Sequence, residues 1–198
     1  MADRRKQFER ELQLIHDDAM RGFVERIIGE LPEYFFHVAA SSSGKYHPEF
    51  ALGEGGLLRH VKMCVEIARS LADLSMFGCN FTRHELDVAI SALILHDGVK
   101  RGKKDDCGHT KDSHPTDMAE FVKDIWERWP FDGEKIPRDT VDEICGCIAS
   151  HMGQWTRNRD EPSKPLPLPR TKLQKFVHLC DYVASRKYVY MKKENDCE

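Results

Sequence analysis

Asp97 follows His96 directly at the end of the apolar run Ser91-Ala92-Leu93-Ile94-Leu95. Leu93, Ile94 and Leu95 should bury this segment, so an imidazole and a carboxylate are carried to the edge of a core. An unpaired ionised carboxylate in such a place costs on the order of several kcal/mol, and a bound cation is a common way to offset it. His60, His114, His151 and Asp181 each lie in or beside a helix-like apolar pattern, in an order that could close around the same point. First-row divalent metals favour imidazole with carboxylate, and two neighbouring metals need a bridging carboxylate to offset their repulsion. An adjacent His-Asp pair at a helix end, where the backbone turns, can serve both purposes.

The elements that must position these groups read as helices. Phe8, Leu12, Ile15, Phe23 and Ile27 repeat at near-helical spacing, which predicts a helix from about Asp3 to Gly29, closed by Gly29 and Pro32. The stretch 41–48 has turn chemistry. Gly55-Gly56 leads into Leu57, His60, Val61, Cys64, Val65, Ala68 and Leu71, a stripe that puts His60 on or next to the buried face. Thr82 and Glu85 form a capping box that starts the helix delivering His96 and Asp97. Residues 98–113 should be an exposed loop. Pro115 suits the first turn of a helix bearing Met118, Phe121, Val122 and Ile125 that ends before Pro130, and another runs from Pro137 to His151. The proline-rich 153–169 is a loop, and a last helix runs from about Thr171 into 183–188. No alternating strand pattern is present, so the expectation is an all-α, single-domain helical bundle with ligands at its mouth. It divides into an N-terminal helical segment (1–45) packing on a core (46–191), with a polar tail (192–198).

The 198 residues are enough for one buried core, and 32% charged with 40% hydrophobic residues suits a soluble globular protein. A formal net charge of −3 gives no basis for wholesale nucleic-acid binding, though a local basic cleft is compatible with it. No apolar stretch approaches the roughly 20 residues that span a bilayer, and the charged N-terminus lacks a signal-peptide core. The seven cysteines contain no Cys-x-x-Cys pair. Cys64 and Cys180 fall on apolar helical faces, and the expected compartment is the reducing cytoplasm.

The order His60, His96-Asp97, His114, His151, Asp181 resembles the HD-domain metal-dependent phosphohydrolase superfamily. Gly55-Gly56-Leu57-Leu58-Arg59-His60 is similar to the Gly-Gly-Leu-Leu-x-His entry of the branch with bacterial 3′-to-5′ exoribonucleases. Leu95-His96-Asp97-Gly98-Val99-Lys100 resembles the superfamily's Leu-His-Asp-Ile-Gly-Lys, and Ser150-His151-Met152-Gly153 its Ser-His-His-Gly. Leu179-Cys180-Asp181 matches the closing aspartate helix. The likeness spans roughly 46–190. Gly98-Val99 replaces Ile-Gly, and Met152 replaces a second histidine. No accessory nucleic-acid-binding domain of the exoribonuclease kind is present, so processive RNA degradation is not carried over.

The resemblance implies hydrolysis of a phosphomonoester or phosphodiester, of a nucleotide or a nucleic-acid 3′ end, by a metal-activated hydroxide. His60, His96, Asp97, His114, His151 and Asp181 would hold two divalent ions (Mn, Fe, Co, Ni, Zn or Mg). A single ion on His60, His96, Asp97 and Asp181 is the alternative. Asp97 and Lys100 are the catalytic candidates, Lys100 also as a ligand for a non-bridging oxygen. Arg59, Arg157 and Arg159 are candidates for phosphate contact, and Trp155 for covering a nucleobase. His109 rivals His114. His178 is either a packed core residue or an orienting neighbour of Asp181, while His16, His37, His47 and His84 read as exposed or capping residues. A nucleotide or oligonucleotide is the expected partner, with no membrane and no obligate protein partner; the oligomeric state is not fixed. A catalytically silent nucleotide-binding regulator that retains the metal is the alternative function.

Overall fold

A computed structural model describes residues 4–74, 80–104, 108–129 and 135–188. Among them every regular element is helical, and no strand occurs. The α-helices are α1 (Glu9–Leu12), α2 (Asp18–Glu30), α3 (Gly56–Ala72), α4 (Arg83–Leu95), α5 (His114–Glu127), α6 (Arg138–Ala149) and α7 (Lys172–Ala184), with short 3-10 turns at Arg4–Phe8, Glu33–Phe36 and Glu49–Ala51.

α4 is the hub. Its capping box forms as the sequence predicts, with Thr82 Oγ1 accepting from Glu85 N and a Glu85 carboxylate oxygen accepting from Thr82 N. From Asp87 to Leu95 every residue of α4 is buried, so the helix is surrounded rather than amphipathic. α2, α3, α6 and α7 all pack on it, α7 lies along α3, and α5 lies along α6. Phe8, Leu12, Phe23 and Ile27 from the N-terminal segment share one continuous core with Leu57, Leu93, Met118, Ile144 and Phe176.

The N-terminal segment departs from the single helix predicted over 3–29. The chain breaks at 13–17 between α1 and α2. Asp87, only 2% exposed on α4, accepts the backbone N–H groups of His16 (3.1 Å) and Asp17 (3.0 Å), and Asp17 caps α2 by accepting from Met20 N at 2.7 Å. A carboxylate arriving from another helix thus overrides a local apolar period. Arg4 closes the other end of α2, donating to the carbonyls of Gly29 (3.1 Å) and Leu31 (2.7 Å).

The tight Gly55-Gly56 entry to α3 is dictated by backbone proximity. A Cβ on Gly56 would stand 2.2 Å from Ala51 O. Loop 98–113 is not exposed throughout: Val99 is fully buried, and a Cβ on Gly98 would meet Leu31 Cδ2 at 2.7 Å and Met118 Sδ at 2.8 Å. The last helix stops at Ala184, and 185–188 are turns. The tail 192–198 lies outside the described residues.

Candidate metal centre

His60 projects from the second turn of α3, His96 and Asp97 follow the last residue of α4, His114 opens α5, His151 follows the end of α6, and Asp181 lies in the last turn of α7. All four histidines and Asp97 are at most 2% exposed, and the Asp181 side chain is 17% exposed. Five segments therefore meet at one end of the bundle.

Three of the imidazoles are held by the same local device. Nδ1 of His96, His114 and His151 lies 2.8, 2.6 and 2.7 Å from the carbonyl oxygens of Leu93, Lys111 and Ile148, each three residues earlier. A carbonyl only accepts, so Nδ1 carries the proton, and in the neutral imidazole Nε2 is then the free lone pair. These lone pairs face one another and the carboxylates. His114 Nε2 is 3.2 Å from His151 Nε2. His96 Nε2 is 3.5 Å from Asp97 Oδ2 and 3.7 Å from Asp181 Oδ1. His60 Nε2 lies 3.0 Å from Asp181 Oδ1 and 3.8 Å from Asp97 Oδ2. His114 and His151 approach Asp97 Oδ1 at 3.1 and 3.8 Å. Even so, His96 Nε2 and Asp97 Oδ1 are buried atoms without a hydrogen-bond partner. Lone pairs converging in a dry place repel unless a cation lies between them, so the donor set fits divalent metal.

The carboxylate of Asp97 divides the histidines between its two oxygens. Asp97 Oδ2 faces His60 and His96, whereas Asp97 Oδ1 faces His114 and His151. A carboxylate offering one oxygen to each group is the arrangement a paired-ion site needs.

Charge balance agrees. Burial opposes ionisation of Asp97, but the Lys100 ammonium with the His96 and His114 imidazoles outweighs it and holds the carboxyl well below its usual range. Lys100 Nζ sits 2.5 Å from Asp97 Oδ2. Asp181 is likewise held low against burial, by His60 and His96. Burial pushes His60 down, and His151 down to about 3. For His96 burial is outweighed by Asp97 and Asp181, and its pKa is raised.

The remaining expectations fare unevenly. His109 is exposed, and the buried His114 takes its place in the cluster. Arg59 turns away from the phosphate role, donating to the carbonyls of Phe50 (2.6 Å) and Leu52 (3.0 Å) and so bracing the loop before α3. Arg159 is committed to Asp112 through Nε (2.6 Å) and Nη2 (2.9 Å), a fork that ties loop 153–169 to the segment before α5. Arg157 is exposed in that loop and lines a cleft of about 440 Å³ with Thr156, Asn158, Arg159, Pro162 and Pro165. Trp155 is 45% exposed and stacks on Tyr182, the neighbour of Asp181, at 5.8 Å with 14° between ring planes. Nδ1 of His178 donates to the His151 carbonyl at 2.7 Å, fixing the turn that presents His151.

Two residues beside the cluster are not picked out by the sequence reading. His47 is not an exposed residue: its ring packs edge-on to His60 (centroids 5.3 Å), its Nδ1 is buried without a partner, and burial pushes its pKa down to about 3. Only the folding of loop 41–55 brings it there. Cys64 Sγ lies 3.6 Å from His60 Nε2. Its signal was legible, because residues four apart on a helix share a face.

An all-helical bundle that gathers histidines and aspartates at its mouth defines a class of helical architecture able to hold metal. Residues 57–186 match the HD domain, and the chain belongs to the HD-domain family, whose members are in general metal-dependent phosphohydrolases. Comparison with curated proteins and with solved structures gives no significant match. No helix among the described residues is long and apolar enough to cross a membrane.

Proposed function

We propose that this chain is a metal-dependent phosphohydrolase cleaving a phosphomonoester or phosphodiester of a nucleotide or of a nucleic-acid 3′ end. The observation that carries the reading is the set of three Nε2 lone pairs, fixed by carbonyls behind them and turned on the carboxylates of Asp97 and Asp181. His60, His96, Asp97 and Asp181 would hold one ion, and Asp97, His114 and His151 a second. Divalent ions so held supply Lewis acidity toward phosphoryl oxygen and bring the pKa of water near neutrality.

The chain's own residues do the rest. Asp97 ties the two ligand groups together, which keeps both at a fixed separation. Lys100 balances the Asp97 charge in this structure, and its flexible stem lets the ammonium swing to a non-bridging phosphoryl oxygen when substrate arrives. Arg157 adds a cationic group from the adjoining loop. Trp155, propped on Tyr182 beside Asp181, offers one open face to a base. The Gly55–His60 likeness to the exoribonuclease branch supports a nucleic-acid 3′ end among the substrates.

The test is metal content by elemental analysis together with turnover of bis-p-nitrophenyl phosphate and p-nitrophenyl phosphate with added Mn²⁺. Bound metal with turnover, both abolished in Asp97→Ala, is the expected result. Bound metal and tight nucleotide binding with no turnover under any divalent ion would instead favour a nucleotide-binding regulator.

A further inference from the structure

We propose that Cys64 is a further, thiolate ligand of the ion held by His60, His96, Asp97 and Asp181, which makes this centre one for zinc, iron or cobalt rather than for magnesium. The inference rests on the metal-centre reading above and narrows it to a class of metal.

Cys64 is fully buried and sits one helical turn after His60 on α3, so both side chains leave the same face of the helix. One ligand atom each from His60, Cys64, His96 and Asp181 lies within 4.8 Å of all the others. The Cys64–His60 contact serves as a hydrogen bond in the metal-free chain, and its length also admits a shared ion. With metal–sulfur and metal–nitrogen bonds of about 2.3 and 2.0–2.1 Å, a tetrahedral angle puts sulfur and nitrogen about 3.6 Å apart. The observed separation of Cys64 Sγ and His60 Nε2 is 3.6 Å. The 3.0 Å between His60 Nε2 and Asp181 Oδ1 suits two ligands at about a right angle on that ion. His96 Nε2 supplies an independent pointer. It is wholly buried, has no hydrogen-bond partner, and belongs to the same group of four.

A cysteine that only filled the core would make no demand on the ion. A ligating one does, because thiolate favours soft and borderline metals while Mg²⁺ prefers oxygen and water. On binding, the sulfur gives its proton to solvent and its lone pair to the metal, with no change in oxidation state.

The experiment is X-ray absorption at the zinc edge on the full-length protein loaded with one equivalent of Zn²⁺, paired with Co²⁺ substitution. A sulfur shell near about 2.3 Å and a near-ultraviolet sulfur-to-cobalt charge-transfer band are expected. Both should vanish in Cys64→Ser, or in Cys64→Ala if the serine variant does not fold, and persist in Cys145→Ser. The variant should also lose at least tenfold in its preference for Zn²⁺ over Mg²⁺ by competition titration. A first shell of nitrogen and oxygen alone in the wild type, or a sulfur shell that survives Cys64→Ser, overturns the assignment and leaves the phosphohydrolase reading standing. A protein that takes up no zinc overturns the thiolate assignment, and one that takes up no divalent ion of any kind overturns both.

Discussion

The carbonyl behind each of His96, His114 and His151 decides the chemistry of the imidazole in front of it. By accepting the hydrogen bond from Nδ1–H it leaves Nε2 ready to ligate, and it does so without any partner from elsewhere in the chain. Single substitutions should therefore separate the two ligand groups. We expect Asp97→Ala to lose all bound metal and all hydrolysis, whereas His114→Ala and His151→Ala lose one ion of two and keep the other; elemental analysis on folded protein reads the difference. Equal metal content in all three variants would exclude Asp97 as the shared ligand. Acid should act through the same residues. His47 and His151 fold with their pKa pressed to about 3, so below roughly pH 6.5 the unfolded chain binds more protons and stability falls. His96, held above its ordinary value, contributes stability that is full below about pH 6.5 and lost as pH rises through its folded pKa, so it softens the acid loss. Asp97 and Asp181, held low, add stability above about pH 3.9 that disappears only as pH falls through their folded values. The urea midpoint of the metal-free chain should thus drop between about pH 7 and about pH 4.5, and His47→Gln should flatten that slope. A midpoint that rose on acidification would contradict it.

At the scale of elements, α4 carries both the centre and a distant brace. Its C-terminal end delivers His96 and Asp97, while Asp87 in its second turn reaches back to the amides at the break before α2. Removing that acceptor leaves two amide donors short of a partner. Asp87→Ala should therefore cost about 2–4 kcal/mol in chemical unfolding, with metal affinity changed far less. Gly98 shows the same dependence on neighbours from α2 and α5. The inversion to Gly98-Val99 puts the small residue against Leu31 and Met118 and buries the valine. Gly98→Ala should cost about 1–3 kcal/mol through overpacking, because both obstructing groups are side-chain ends that can shift. Gly56→Ala, facing a backbone oxygen at 2.2 Å, should be tolerated much less well, and its yield of folded protein is the readout.

Across the whole molecule, the centre joins five chain segments that also share one apolar core. An ion bound there favours the folded state by mass action, worth about 2.7 kcal/mol at a hundredfold excess over Kd. For a chain of this size that corresponds to a fall of about 5–10 °C in Tm when the metal is chelated. Scanning calorimetry with and without EDTA measures it, and an unchanged Tm would count against a site in the bundle interior.

Type and order of residues were enough to mark much of this architecture. Apolar stripes at helical spacing placed α3 and α5 to α7, the Thr82 capping box set the start of α4, and the HD-type motifs picked out the six side chains that meet. Local sequence can do this because helix periodicity and capping are short-range effects. The choice of His114 over His109, the break at 13–17, the diversion of Arg59 and Arg159 to other partners, and the arrival of His47 and Cys64 beside the cluster were decided only by tertiary structure. Each depends on which atoms from remote segments come within a few ångströms, and neither charge nor periodicity along the chain encodes that distance.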